Sequence, residues 1–356
     1  MSNFIIRQKG PSSVVADNIW ELRLGVGSLL LGMLAGGLGG ALAGLYLLRR
    51  DKLDKEARPP KDWPVNIAHR GGAGIAPENT LVGFREGLRV GAGVLELDVH
   101  LTADGHVVVI HDDTVDRTTD GTGLVREMTL REVKRLDAGY RFTQDSGETY
   151  PYRGQGVIVP TLEEVYREFP NVPVNVEIKE ARPDIEQAVW KVIEEAEAPD
   201  RTLVVSETTP VIRRFRKASS GRVATASSVG ELVAFDLLRR LRLSKLLRSP
   251  YQALQGPEVY GGISHIVTPR FVRAAHEQGL RVDVWTINSE PDMRRLLAFG
   301  VDGIMTDRPD VLALGTRWCP AVRKEKMVQV TVERYEAGRS FRPLRRGLLP
   351  YQRPLP

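Results

Sequence analysis

Val94-Leu95-Glu96-Leu97-Asp98-Val99 sets two carboxylates two residues apart in an otherwise apolar run. Side chains alternate across a strand, so Glu96 and Asp98 share one face while Leu95, Leu97 and Val99 share the other. Two acidic groups projecting from the apolar interior of a sheet are costly unless a positive charge lies between them. Working outward, further short apolar strands are expected at 65–69, 174–178, 203–206, 223–226, 253–255, 282–286 and 303–306. Amphipathic helical stretches fall between most of them, at 78–90, 184–196, 210–219, 269–278 and 290–299. Eight strands alternating with helices over about 250 residues have the size and rhythm of an α/β fold of the (β/α)₈ TIM-barrel type. A doubly wound sheet shares that rhythm, so alternation alone does not separate the two. Two long insertions interrupt it, at about 105–160, with a short strand at 107–110, and at about 237–262.

The remaining chain divides into an amino tail 1–23, an uncharged run 24–48, a charged linker 49–64, the barrel 65–315 and a basic tail 316–356. Residues 24–48 carry no charge and no polar face, as expected of one transmembrane helix preceding the barrel. A cleavable signal peptide, suggested by Ala41-Leu42-Ala43, is the competing reading; the apolar run continuing to Leu48 favours a retained anchor. Gly32, Gly36, Gly40 and Gly44, with Ser28 in step, form a small-residue stripe on which two such helices would pair as a homo-dimer. Three basic residues (Arg7, Lys9, Arg23) precede the anchor, and six (Arg49, Arg50, Lys52, Lys55, Arg58, Lys61) follow it. That bias places the barrel in the cytoplasm of a single-pass membrane protein.

The net charge of +5 is unevenly spread: residues 316–356 hold ten Lys/Arg against three Asp/Glu, and residues 1–58 hold eight against five. The barrel is therefore net acidic, which argues against nucleic acid as a partner and for membrane lipid at the two basic flanks. The single cysteine, Cys319, excludes an intramolecular disulfide framework.

The third barrel strand ends Glu177-Ile178-Lys179. Glu96, Asp98 and Glu177 converging at the carboxyl end of a barrel would make an oxygen-rich site for one hard divalent cation, Mg²⁺ or Ca²⁺. The first strand leads into His69-Arg70-Gly71-Gly72, and the strand at 107–110 leads into His111-Asp112-Asp113. Two histidines, the residue type whose ordinary pKa lies nearest neutrality, beside an arginine able to fork onto phosphate, suit acid–base cleavage of a phosphodiester. His100 shares the face of Glu96 and Asp98 and could approach the site; His106 reads as a solvated turn residue, His265 and His276 as structural.

These segments closely resemble the glycerophosphodiester phosphodiesterase family. The resemblance runs through Ile67-Ala68-His69-Arg70-Gly71-Gly72, Pro77-Glu78-Asn79-Thr80, Glu96-Leu97-Asp98-Val99, Ile110-His111-Asp112 and Asp116-Arg117-Thr118-Thr119. It continues through Gly121-Thr122-Gly123, Pro160-Thr161-Leu162, Glu177-Ile178-Lys179, Val284-Trp285-Thr286-Ile287-Asn288 and Met305-Thr306-Asp307-Arg308-Pro309. It implies a TIM-type barrel that hydrolyses glycerophosphodiesters to glycerol 3-phosphate and an alcohol. By matched motif, His69 and His111 are the acid–base pair, and Glu96, Asp98 and Glu177 are the metal ligands. Arg70 and Lys179 hold the phosphate, Trp285 lines the pocket, and Glu78 supports Arg70 or a metal-bound water. The fourth strand departs from the pattern, ending Ser206-Glu207 where an aromatic is common. Lysophospholipase D-like hydrolysis of lysophospholipids shares these motifs. A phosphatidylinositol-type phospholipase C shares the barrel and paired histidines, and an inactive membrane scaffold is the non-enzymatic reading.

Overall fold

A computed structural model of the chain describes residue 63 and residues 65–244, 247, 249–260 and 264–315. The expected anchor 24–48, the basic tail 316–356 and Cys319 lie outside the described residues. Among those described, no helix is long and apolar enough to cross a membrane.

Eight parallel strands form the core: β1 (Asn66–Ala68), β2 (Val94–Leu101), β4 (Val174–Ile178), β5 (Thr202–Val205), β6 (Ala224–Thr225), β7 (Ala253–Pro257), β10 (Arg281–Trp285) and β11 (Gly303–Thr306). They pair in the order β6-β5-β4-β2-β1-β11-β10-β7. The parallel bridge Ala226–Ala253 joins the two ends. Gln252 N–H donates to Thr225 O at 2.9 Å and Ser227 N–H to Ala253 O at 2.8 Å across this seam, so the sheet closes on itself as a (β/α)₈ barrel rather than staying open. A ninth strand, β3 (Val107–Val109), runs antiparallel on the upper part of β2, and β8 (Val259–Tyr260) and β9 (Ser264–His265) form a separate hairpin.

The helices of the outer ring are α1 (Leu81–Arg89), α3 (Leu162–Glu168), α4 (Ile185–Glu195), α5 (Thr209–Ala218), α6 (Val229–Arg240), α7 (Pro269–His276), α8 (Glu290–Phe299) and α9 (Pro309–Gly315); α2 (Leu130–Val133) lies in the first insertion. Several begin where the sequence supplies a cap. Thr161 with Glu164 and Ser228 with Glu231 form capping boxes at α3 and α6, and Thr80 caps α1 by accepting from Gly83 N–H at 3.0 Å. That cap explains why α1 starts at Leu81 rather than 78, leaving Glu78 and Asn79 in the preceding turn. Residues 237–240, read from sequence as the opening of an insertion, belong to the regular barrel helix α6.

The alternation of β2 divides it between two environments. Leu95, Leu97, Val99 and Leu101 pack outward with Phe84, Leu162 and Val165 of the helical layer. Val94 faces the lumen, whose apolar floor also holds Trp63, Ile67, Leu203, Ala224, Ala253 and Met305. Above this floor runs a buried polar chain: Asn175 Nδ2 donates to Gln255 Oε1 (3.2 Å), Gln255 Nε2 to Asp283 Oδ2 (3.0 Å), and Arg281 Nε to Asp283 Oδ1 (2.7 Å). Gly303 admits it, since a Cβ there would lie 2.1 Å from Asp283 Oδ1. The first insertion has its own small core of Val108, Ile110, Val115, Val125, Val133, Val157 and Val159.

The seam of the barrel is its shortest pairing, and Arg216 braces its β6 side. This buried α5 guanidinium donates to Thr225 Oγ1 (2.9 Å), to Ala226 O (3.0 Å) and to both oxygens of Glu231 (2.6 and 3.0 Å). Removing one member of a buried pair leaves the other uncompensated. Arg216→Met is therefore expected to destabilise the barrel by about 3–5 kcal/mol, measured as a lowered midpoint in denaturant unfolding. An unchanged midpoint would contradict the assigned role.

Candidate active site

The site is built at the carboxyl end of the strands. β1 runs into a tight turn at His69–Gly71 in which Arg70 takes the left-handed conformation (φ 52°) and Gly71 follows at φ 85°. A side chain at Gly71 would meet Phe84 Cδ1 at 2.6 Å, so glycine is required both by the backbone and by the packing of α1. The turn aims the Arg70 N–H at Glu96 Oε2, 2.7 Å away. Asn79, also left-handed (φ 55°), donates from Nδ2 to Asp98 Oδ2 at 2.9 Å. Strained non-glycine residues concentrate where function holds them, and here both are held by hydrogen bonds to buried carboxylates.

Glu96, Asp98 and Glu177 come together from the paired strands β2 and β4, with ligand oxygens within 4.8 Å of one another. Glu96 and Asp98 are almost wholly buried. Burial first, and then the neighbouring charge of Asp98, push the Glu96 carboxyl up to about 8. Burial opposes the charge of Asp98 as well, yet Lys179, His111 and Arg70 hold its carboxyl below the usual range. Two buried carboxylates and a partly exposed third, offering only oxygen donors, fit a hard divalent cation, whose charge would relieve the repulsion that adds to burial in raising Glu96. Lys179 Nζ lies 3.0 Å from Glu177 Oε1 and 3.8 Å from Asp98 Oδ1, and Arg70 Nε lies 3.4 Å from Asp98 Oδ2.

Each of the two expected histidines has a carboxylate against Nδ1. His69 Nδ1 is 2.6 Å from Asp307 Oδ1, and Asp307 is itself held by Asn288, which donates to Oδ2 at 2.7 Å and accepts from the Asp307 N–H at 2.8 Å. His111 Nδ1 is 2.6 Å from Asp112 Oδ1. A carboxylate partner keeps the proton on Nδ1 and leaves Nε2 for chemistry. Burial opposes the His69 imidazolium, but the hydrogen bond to Asp307 and the charge of Glu96 outweigh it, so its pKa lies above the ordinary 6.5.

Arg117 ties the second arm together. It donates from Nε to Asp112 Oδ2 (2.7 Å) and through Nη1 and Nη2 to the two oxygens of Glu78 (2.7 Å each). Glu78 in turn accepts from Arg70 Nη1 at 3.0 Å. His100 points at the insertion rather than into the pocket, its ring Nε2 donating to His111 O at 3.1 Å. His106 is exposed, and His276 sits on the outer surface against Asp302 at 2.7 Å.

One pocket at this mouth is lined by His69, Arg70, Glu96, His111, Glu177, Lys179 and Trp285, with Asn175, Val205, Glu207, Ser227, Val229, Gln255, Thr286 and Met305 completing it. Asp98 lies beneath its floor, and Glu78 stands behind Arg70. Sequence reading gave no role to Asp307, Asp112, Arg117 or Asn79, although all four lie within the quoted motifs. Asp112 is signalled by adjacency to His111, whereas Asp307 meets His69 across 238 residues and no local spacing reveals it.

Residues 69–311 match the Glycerophosphoryl diester phosphodiesterase family. The chain is 37% identical over 251 residues to a glycerophosphodiester phosphodiesterase of Caldanaerobacter subterraneus subsp. tengcongensis, covering 69% of this chain and 95% of that protein. It is 34% identical over 252 residues to a glycerophosphodiester phosphodiesterase of Bacillus altitudinis, covering 68% and 94%. Among solved structures, an Oleispira antarctica phosphodiesterase in complex with the product sn-glycerol-3-phosphate superposes with a TM-score of 0.55 at 26% identity, over 70% of this chain and 96% of that one. With a matching profile across the barrel and relatives of this identity, the chain belongs to the glycerophosphoryl diester phosphodiesterase family and is an enzyme of that class.

Proposed function

We propose that the protein hydrolyses glycerophosphodiesters to glycerol 3-phosphate and an alcohol, dependent on one divalent cation, with His69 and His111 as the acid–base pair. The observation that carries this reading is two imidazoles, each backed by a carboxylate, opening on one pocket that Glu96 and Glu177 line, with Asp98 clustered against them. The product bound by the Oleispira antarctica phosphodiesterase, sn-glycerol-3-phosphate, is the product assigned here.

Arg70 and Lys179 bind the non-bridging phosphate oxygens, and Trp285 packs against the glycerol or the leaving group. The glycerol 2-hydroxyl is the nearest nucleophile to its own phosphorus, so its attack needs no water at that step. One imidazole Nε2 removes the hydroxyl proton, the oxygen bonds to phosphorus, and the other imidazole protonates the departing alkoxide. Water then opens the resulting cyclic phosphate with the two proton-transfer roles reversed. Glu96, Asp98 and Glu177 would hold the cation, Mg²⁺ or Ca²⁺. When bound, the cation supplies positive charge against the phosphate and lowers the pKa of a nearby hydroxyl.

The anchor 24–48 is read, within the same proposal, as a single membrane span with the barrel on the cytoplasmic side. Protease added to intact cells should then spare the barrel until the cells are permeabilised; digestion from outside would reverse the topology.

Metal removal tests the central claim. Chelation should abolish turnover reversibly, and Glu96→Ala, Asp98→Ala and Glu177→Ala should each do so permanently. Full activity in excess chelator would sink the cation assignment.

The histidines are tested by rate and by pH. His69→Ala and His111→Ala should each lose roughly 10²–10⁴-fold in turnover, whereas His276→Ala should stay within a few-fold of wild type. Asp307 favours the charged form of His69, so Asp307→Asn lowers that pKa. The limb of the kcat/KM profile reporting His69 should therefore move to lower pH, whether His69 acts there as base or as acid. A limb that moves upward or stays fixed would contradict the pairing.

A further inference from the structure

We propose, on the phosphodiesterase reading above, that Glu207 and Ser227 form a subsite selecting leaving alcohols that carry a positive ammonium group. The basic side chains lining the pocket already have acidic partners. His69 has Asp307, His111 has Asp112, Arg70 has Glu78, and Lys179 has Glu177. Glu207 is the converse. It follows β5, is half-buried and lines the same pocket, and its carboxylate makes no hydrogen bond or ion pair among the described residues. It is not a member of the Glu96, Asp98 and Glu177 cluster that would hold the cation, although its charge acts on both Glu177 and Lys179.

The next strand adds an acceptor. Ser227, just beyond β6, is 3% exposed, and its Oγ lines the pocket without a hydrogen-bond partner; Asn175 Oδ1, on the floor, is likewise buried and unpartnered. β4, β5 and β6 are neighbours in the sheet, so the three groups share one side of the barrel. A negative charge and unfilled acceptors there match a group with positive charge and N–H donors. Trp285 lines the same pocket, and an indole is the side chain best suited to hold such a cation. A neutral alcohol would leave Glu207 balanced only by the longer-range charge of Lys179, and an anionic one would meet its repulsion.

The test uses the full chain and three diesters: glycerophosphoethanolamine (primary ammonium), glycerophosphocholine (quaternary ammonium) and glycerophosphoglycerol (neutral). The readout is the ratio of kcat/KM for each ammonium diester over the neutral one, in which any general loss of activity cancels. Wild type should favour the ammonium substrates. Glu207→Gln should lower that ratio about tenfold, chiefly through KM, as expected for one partly screened charge, and Glu207→Lys should take it below one. Ser227→Ala should narrow the preference for ethanolamine over choline, because only the primary ammonium has N–H donors to lose. A ratio that Glu207→Gln leaves unmoved, with glycerophosphoglycerol still hydrolysed, would overturn the subsite and keep the phosphodiesterase reading. Failure of wild type on all three diesters would overturn both.

Discussion

Glu96, Asp98 and Glu177 are brought together at the mouth of the barrel, the first two fully buried, and the repulsion among them is the constraint around which the surrounding structure is arranged. Each carboxylate is reached by a donor or a cation that the local fold delivers: the Arg70 N–H for Glu96, Asn79 and the Arg70 guanidinium for Asp98, Lys179 for Glu177. The left-handed backbones of Arg70 and Asn79 follow from this, because both turns must bend inward to bring those groups within reach. What the protein groups leave uncompensated is a concentration of negative charge that oxygen-seeking divalent cations are suited to fill.

Much of this was legible from residue order alone, because barrel strands announce themselves by periodicity. The alternation in 94–99 gave both the lumen face and the helix-packing face, and the eight expected strands coincide with eight parallel strands within a few residues. Closure was not legible. A doubly wound sheet has the same rhythm, and the difference lies in a seam of one bridge and two flanking hydrogen bonds between β6 and β7. The extent of α6 was also hidden, since its apolar and basic end resembles inserted sequence until the Ser228–Glu231 cap is seen to start a helix that continues through it. Contacts distant in sequence were the hardest. Asp307 and Asn288 reach His69 only because β1 and β11 are neighbours in the closed barrel. Glu207 was visible as a departure from a pattern, but its lack of a direct ion-pair partner among the described residues is a property of the pocket rather than of the strand.

The two histidines are supported in physically different ways. His69 sits on the barrel itself, and its Asp307–Asn288 support lies just beyond neighbouring strands, so its position is set by the closed sheet. His111 sits where the first insertion leaves β3, and its support is local: Asp112 beside it, Arg117 five residues on, and His100 bonding its carbonyl. The insertion is fixed against the barrel by the β2–β3 ladder, by the small core around Val108, Val115 and Val133, and by polar ties such as Lys134 to Glu164.

Arg117 converts this local support into a link between the two working parts of the site. Its one guanidinium holds Asp112, and so the His111 ring, and also Glu78, and so the Arg70 fork. A displacement of the insertion therefore cannot disturb the imidazole alone, because Glu78 and the phosphate-facing arginine share the same donor. Planarity matters here: five donors in one plane can serve two carboxylates in fixed relation, which a lysine ammonium on a flexible stem cannot. The arrangement makes proton transfer and phosphate orientation depend on one side chain, and it places that side chain in the insertion, with His111 and Asp112, rather than in the barrel that carries His69, Arg70 and the three carboxylates.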